Sequence, residues 1–576
     1  MSINFLGARP LSYSFVATAW VTGLFVSSAG HAQDAGALQR ELQLQLQRSA
    51  PQAPVQPQKP VAPTPPKPDE QKQEVKGYKF QGNTLLTNEQ LQEAVKQWAN
   101  TQIRFSELQD VTAALRNLYA KNGRVAQANI PPQEIQDGVI LINIVEGKLG
   151  AVIVEPSQEG QALRTQPDHV QGYFKRSDEG KEYIDTRPLN RSLLLINELP
   201  GVKATGGFEA GSTAGESNFR VKLDDGPLFA GQASISNAGS GSTGVTQVLA
   251  NLSVNNPLGY GDQVTIDAIQ TLGSLYGQLG YSFPVGHDGW RLGVQANALT
   301  YETLADWSAT QSQGIADTVG MNASYALLRE PGNTMNARFK IENRGYSNSQ
   351  AHANISNYQI TAYSAALDGS FADTTQSLIS YSLTGVLGNL VMNNAAQAAQ
   401  DAAGPGTAGI YKKLSFTLSR TETLAWLPST TWLMSLNGQI ASANLNSSEQ
   451  TYLGGSYAVR AYPGGQGGGS QGGIFTNELQ HRLNENWQLG AFLDVGLVQQ
   501  YVNLYDSWQG LTNAGNVYFL AAMGPIVKFE YEKLQVSATL ALRLGNNPLY
   551  NSSGEQLNAD NAYKMVQAWV KASYAF

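Results

Sequence analysis

Past Leu228 the chain alternates apolar or aromatic residues with small polar ones, in segments of about ten residues separated by Gly, Asn, Asp and Pro. DQVTIDAIQTL, SLYGQLGYSFPV, WRLGVQANALTY, TMNARFKIENRGY and LQVSATLALRL are examples. In the closing stretch YKMVQAWVKASYAF, Val566, Ala568, Val570, Ala572, Tyr574 and Phe576 share one face, while Gln567, Lys571 and Ser573 share the other; Trp569 is an exception. A period of two is that of a strand, and an apolar face set against a polar one suits a strand with lipid outside and water within. A soluble sandwich would carry denser Val, Ile and Leu runs and more closely spaced strands. The pattern predicts a membrane β-barrel of about sixteen antiparallel strands over residues 228–576, an even number that returns the chain end to the side where the first strand begins.

Upstream the periodicity changes. VKGYKFQGNTLLT reads as strand and turn, NEQLQEAVKQWAN and FSELQDVTAALRNLYAKNG as two helices, and RVAQANIPPQEIQDGVILINIVEG as two strands joined near Asp137-Gly138. The order β-α-α-β-β, repeated from about Lys148 to Gly226, predicts two tandem α+β modules at 75–148 and 149–227. Before them, Leu38, Leu42 and Leu46 recur every four residues and mark a short helix over 33–49, although its LQLQLQ run also alternates with strand period. The linker expected over 50–74 carries eight prolines between Pro51 and Pro68, which excludes ladder pairing there and favours an extended tether reaching ~55 Å. Residues 1–32 combine Arg9, a mostly apolar run and a small-residue exit, as a cleaved secretory signal would.

Composition narrows the chemistry. The net charge of -7 and scattered Lys and Arg provide no footprint for nucleic acid. With no cysteine there is no disulfide or thiolate site. The five histidines lie far apart without an H-E-x-x-H pair, so neither a metal nor a cofactor is expected. The stretch SYAVRAYPGGQGGGSQGG, Ser456 to Gly473, fits both G-x-G-x-x-G and G-x-S-x-G. A strand by pattern follows it where a dinucleotide site needs a helix, and His481 lies too near to complete a triad, so no enzyme is expected.

The same stretch opens with VRAY, Val459 to Tyr462, and a nearby strand reads FLDVG, Phe492 to Gly496. Asp494 alternates with Leu493 and Val495 and should face the lumen. An inward-folded loop would let Arg460 form a bidentate pair with Asp494, which Lys could not reproduce; an outward loop would leave both in water. Spacing alone does not choose between them.

These motifs resemble the two-partner secretion transporters (TpsB family), relatives of the BamA-like barrel assembly proteins. In that family the sixth extracellular loop tucks into the pore, and the Arg of a V-R-G-F/Y tip pairs with the Asp of an F-x-D-x-G strand. The resemblance implies these roles for Val459, Arg460, Tyr462 and Asp494 in a loop over 445–472. FQGNTLLTNEQLQEAV, the Q-x-I-x-D-G turn and LPGV resemble the family's two polypeptide-transport-associated (POTRA) domains. The helix bearing Leu38, Leu42 and Leu46 is similar to its pore-plugging segment, and the terminal Phe576 resembles the signal read by the barrel assembly machinery. One departure is Ala461 in place of the tip glycine, which would be strained if the tip required φ > 0.

The resemblance further implies an outer-membrane pore of a Gram-negative bacterium with POTRA domains in the periplasm. Its cargo would be an unfolded secreted partner, a large β-helical adhesin or cytolysin, moved without ATP since no Walker loop is present. Outer-membrane lipid and the assembly machinery are the other implied partners. The rival reading is a BamA-like insertion factor, a group that usually carries more modules.

Overall fold

The computed structural model describes residues 34–49, 72–135, 137–175, 182–213, 215–305, 311–373, 377–509, 514–545, 548–549, 558–560 and 564–576. The signal expected over 1–32 and the Pro-rich tract lie outside the described residues.

Sixteen antiparallel strands close into one barrel, from Phe229–Ser236 to Val566–Ala575. Closure removes every sheet edge, the condition for a β-structure in lipid. Ile266, Leu279, Val319, Met321 and Phe519 stand on the exposed outer face. In the last strand Val566, Val570 and Tyr574 point outward, and Trp569 is turned inward and is only 9% exposed. The closing seam is the shortest pairing of the ring, Gln232–Ser236 against Lys571–Ala575. The terminal residue extends it: Phe576 N donates to Gly231 O at 3.0 Å and Gly231 N to Phe576 O at 3.2 Å. The Phe576 ring lies over Gly231, where a Cβ would sit 2.4 Å from Cζ.

The first module pairs Gly77–Gln81 in parallel with Val139–Glu146, which also pairs antiparallel with Ala126–Asn129. Helices Asn88–Val95 and Phe105–Lys121 cover one face, burying Leu91, Val95, Val111, Leu115 and Tyr119 against Tyr78, Ile140, Ile142 and Ile144. Thr87 and Gln90 close a capping box at the start of the first helix. Burial alone would raise the pKa of Glu146. Hydrogen bonds from the Thr84 hydroxyl, Leu85 N, the Tyr119 hydroxyl and Thr84 N hold it below the usual range instead. Lys72–Val75, expected at the end of the linker, forms a strand with Thr101–Arg104, and Val75 and Ile103 bury together; the folded unit therefore includes Lys72–Val75.

The second module repeats the plan: Lys148–Pro156 runs parallel to Glu216–Asp225, which pairs antiparallel with Val202–Ala210. Helices Pro167–Gln171 and Thr186–Asn197 pack on this sheet. It sits directly on one rim of the barrel, against turns and a strand end. Gln166 N donates to Gly259 O at 3.0 Å, Asn256 Nδ2 to Thr165 Oγ1 at 2.9 Å, and Arg191 to Ala326 O at 2.6 Å. Ala326 joins the module's own apolar core.

Candidate functional site: a loop and a helix inside the barrel

Among the described residues, two elements occupy the lumen. The first is the chain between strands Thr430–Ala441 and Gln471–Arg482, which folds inward. Its tip is held by its own backbone: Val459 N donates to Leu453 O (2.8 Å), Tyr462 N to Val459 O (3.2 Å) and Gly455 N to Tyr462 O (3.0 Å). Val459 and Tyr462 are fully buried. Gly496 on the facing strand has no room for a side chain, since a Cβ would lie 2.9 Å from Val459 Cγ2 and 3.0 Å from Leu453 Cδ2. The glycine of the FLDVG pattern thus lets the tip reach the wall.

Arg460 spends its donors on two wall strands. Nε donates to Asp494 Oδ2 at 2.8 Å and one terminal nitrogen to Asp494 Oδ1 at 2.9 Å, a planar fork on one carboxylate. The other terminal nitrogen reaches Glu478 Oε2 at 2.8 Å, and the backbone N donates to Asp494 Oδ2 at 3.2 Å. The guanidinium carbon lies 3.6 Å from the centroid of the Phe492 ring. Asp494 is completely buried and Arg460 is 7% exposed. Stripping water from both charges is costly, and the bidentate fork together with the bonds to Glu478 and from the backbone N offsets it. Trp569 completes the site by donating Nε1 to the carbonyl of Arg460 at 2.7 Å.

Ala461 is buried, and its φ is not among the positive values of the chain. The tip therefore accepts alanine without the strain expected for a left-handed position.

The second occupant is the helix Ala35–Ser49. Its Leu38 and Leu42 are buried, and Leu46 half-buried, against an inner wall of Tyr276, Leu299, Tyr301, Tyr346, Tyr358 and Tyr411. Tyr346 and Tyr358 stack with centroids 4.7 Å apart. One sector of the lumen is thus apolar, shaped for a leucine stripe. Polar bonds fix the helix register: Ala35 N donates to Asn348 Oδ1 at 2.8 Å and Gln39 Nε2 to Asn297 Oδ1 at 2.7 Å. Beside loop and helix a cavity of about 550 Å³ remains, lined by Gln45, Thr417, Ser435, Glu478 and Lys528 among others.

Sequence reasoning named Val459, Arg460, Tyr462, Asp494 and the leucine stripe, and the structure gathers all of these in the lumen. Phe576 lies apart, at the seam. Three participants were missed. Glu478 sits at an inward position of its strand and had a signal, a carboxylate in the polar register of Thr476 and Gln480 that alternates with Phe475 and Leu479. Trp569 had one too, as the residue that broke the alternation. Glu449 gave none.

Residues 74–147 match the ShlB-type POTRA domain. The Heme/hemopexin transporter protein HuxB of Haemophilus influenzae is 26% identical over 87% of this chain and 90% of its own. The Outer membrane transporter CdiB of Dickeya dadantii is 24% identical over 77% of this chain and 74% of its own. Among solved structures, CdiB from Escherichia coli superposes with a TM-score of 0.64 at 20% identity, covering 94% of this chain and 98% of that one. BamA from Haemophilus ducreyi lacking POTRA domains 1-3 gives 0.52 at 13% identity, over 88% and 100%. Residues 215–517, more than half of the chain, match the family described as haemolysin secretion/activation protein ShlB/FhaC/HecB, and the chain belongs to that family.

Proposed function

We propose that this protein is the transporter half of a two-partner secretion system: an outer-membrane pore that takes an unfolded exoprotein from the periplasm and passes it to the cell surface. The observation that carries this reading is a barrel wide enough for a water-filled lumen that is obstructed by the helix Ala35–Ser49 and by a pinned loop. A pore for small solutes has no need of two docking modules seated under it. The modules lie on the periplasmic side and present sheet edges to which an extended chain can add a strand; main-chain bonds give affinity with few sequence demands. The domain division follows the same scheme: signal 1–32, plug helix, Pro-rich tether, two POTRA modules and barrel.

In this scheme the helix withdraws on its tether when cargo docks, and the Arg460–Asp494 pair keeps the loop in its working position. Folding of the cargo outside drives the process without ATP. The cargo is a large secreted protein of adhesin or cytolysin type. Phe576, which completes the seam, is the residue read by the assembly machinery; its removal lowers the assembled amount and leaves activity per molecule unchanged. The rival, a barrel insertion factor, has no use for a lumenal plug on a long tether.

The test is reconstitution. The protein is placed in liposomes and offered, in urea, the secreted product of a neighbouring long, repeat-rich reading frame. Protease-protected uptake that disappears when residues 72–227 are removed is the expected result. Uptake that persists without them contradicts the reading.

A further inference from the structure

The loop has a second attachment, far from its tip. At its base a short turn, Ser447–Glu449, lies buried inside the barrel, and Glu449 is 1% exposed. Its carboxylate is gripped from two other strands: Arg344, on Asn333–Gln350, pairs with one oxygen, and Lys413 Nζ, on Gly409–Thr423, lies 2.6 Å from the other. The Glu449 carbonyl accepts from Lys413 Nζ at 3.2 Å and from Gln439 Nε2 at 3.0 Å. Arg344 is steadied in turn by Glu342 at 2.6 Å. The loop is therefore pinned at two separate sectors of the wall.

The same turn touches the plug helix. Asp34 caps that helix, accepting Ala37 N at 2.8 Å on Oδ1, while its Oδ2 accepts the hydroxyl of Ser447. Two residues on, Gly36 packs so closely that a Cβ would fall 2.6 Å from Ser448 Cβ and 2.6 Å from the Tyr358 hydroxyl. Three consecutive residues thus divide the work: Ser447 and Ser448 hold the helix, and Glu449 holds the wall.

We propose that Glu449 is a positioning residue that couples the plug helix to the inward loop: the turn keeps its place only while both the ion cluster and the helix hold it, so release of either loosens the other. Coupling of this kind is reciprocal, because a shared element that two contacts stabilise must report each to the other. The proposal rests on the helix being a removable plug. Its readouts, conductance and probe mobility, need no exported partner.

The test uses the full chain, which lacks cysteine, with a nitroxide at Tyr457→Cys in the loop and recordings in planar bilayers. Glu449→Gln should mobilise the label and also raise the open fraction at least ~5-fold, the lower end of ordinary coupling, whereas Glu449→Asp should restore part of both. Gly36→Ala changes no charged residue and favours helix by propensity, yet should expel the helix by its clash, take Arg40 away from Glu449, and mobilise the label as well. If Glu449→Gln frees the loop with the open fraction unchanged, or Gly36→Ala opens the pore with the label unmoved, the coupling does not exist. Should Glu449→Gln fail to assemble, Gly36→Ala decides alone. A helix deletion that leaves conductance unchanged would instead sink the plug reading itself.

Discussion

The two occupants of the lumen are held by opposite physics. The loop is joined to the wall at both ends and fixed by buried charges: Arg460 on Asp494 and Glu478, Glu449 on Arg344 and Lys413. The helix rests mainly on a leucine stripe against tyrosines, with a few hydrogen bonds at its start and along one side. Breaking one partner of a buried ion pair costs ~3–5 kcal/mol because the other charge is stranded. An apolar contact surrenders its surface gradually, and cargo with apolar side chains can replace it. The loop is built to resist release far more strongly than the helix, which is built to be exchanged.

The largest effect should come from Arg460→Ala, which strands Asp494 and abolishes export while heat-modifiable migration shows the barrel assembled. Arg460→Lys should recover little, since an ammonium cannot span both carboxylate oxygens and Glu478 together. Full export by either variant would make the loop a mere filler. Next, deletion of Asp34 to Arg48 should raise single-channel conductance in planar bilayers and leave export working; unchanged conductance would mean the helix blocks nothing. Leu42→Ala removes the central contact of the stripe, and at ~2–5 kcal/mol for a buried leucine it should give frequent openings short of the deletion's effect. The smallest change belongs to Trp569→Phe. It deprives the Arg460 carbonyl of one hydrogen bond, worth ~1–3 kcal/mol when the acceptor stays buried, and should show as a modest gain in loop mobility by spin label.

The barrel was legible because lipid outside and water inside impose a period of two on every strand, and the modules because their helices change that period. The tip of the loop was legible through Arg460 and Asp494, whose spacing allowed pairing and whose motifs resembled a family. What escaped depended on distance along the chain. Glu449 and Arg344 stand 105 residues apart, so nothing near either residue announces the other. Trp569 looked like a flaw in an outward face until a carbonyl from a loop 109 residues earlier supplied its partner. Lys72–Val75 was lost against the prolines before it, since four residues carry too little pattern to read as a strand. The strain expected at Ala461 came from carrying over a glycine requirement that this tip does not have. An irregularity in a pattern proved the better guide to the site than the pattern itself.

The central claim is that the helix must leave the lumen for cargo to pass. It is tested most directly by trapping it there. Ala35 N lies 2.8 Å from the side chain of Asn348 on the wall, so in this cysteine-free chain Ala35→Cys with Asn348→Cys can be joined by a short bis-methanethiosulfonate, a reducible spacer that does not require disulfide geometry, and the joined fraction read by gel migration. The account predicts that export of the partner stops in proportion to the cross-linked fraction and returns on reduction. Export at the full rate with the cross-link complete would contradict it.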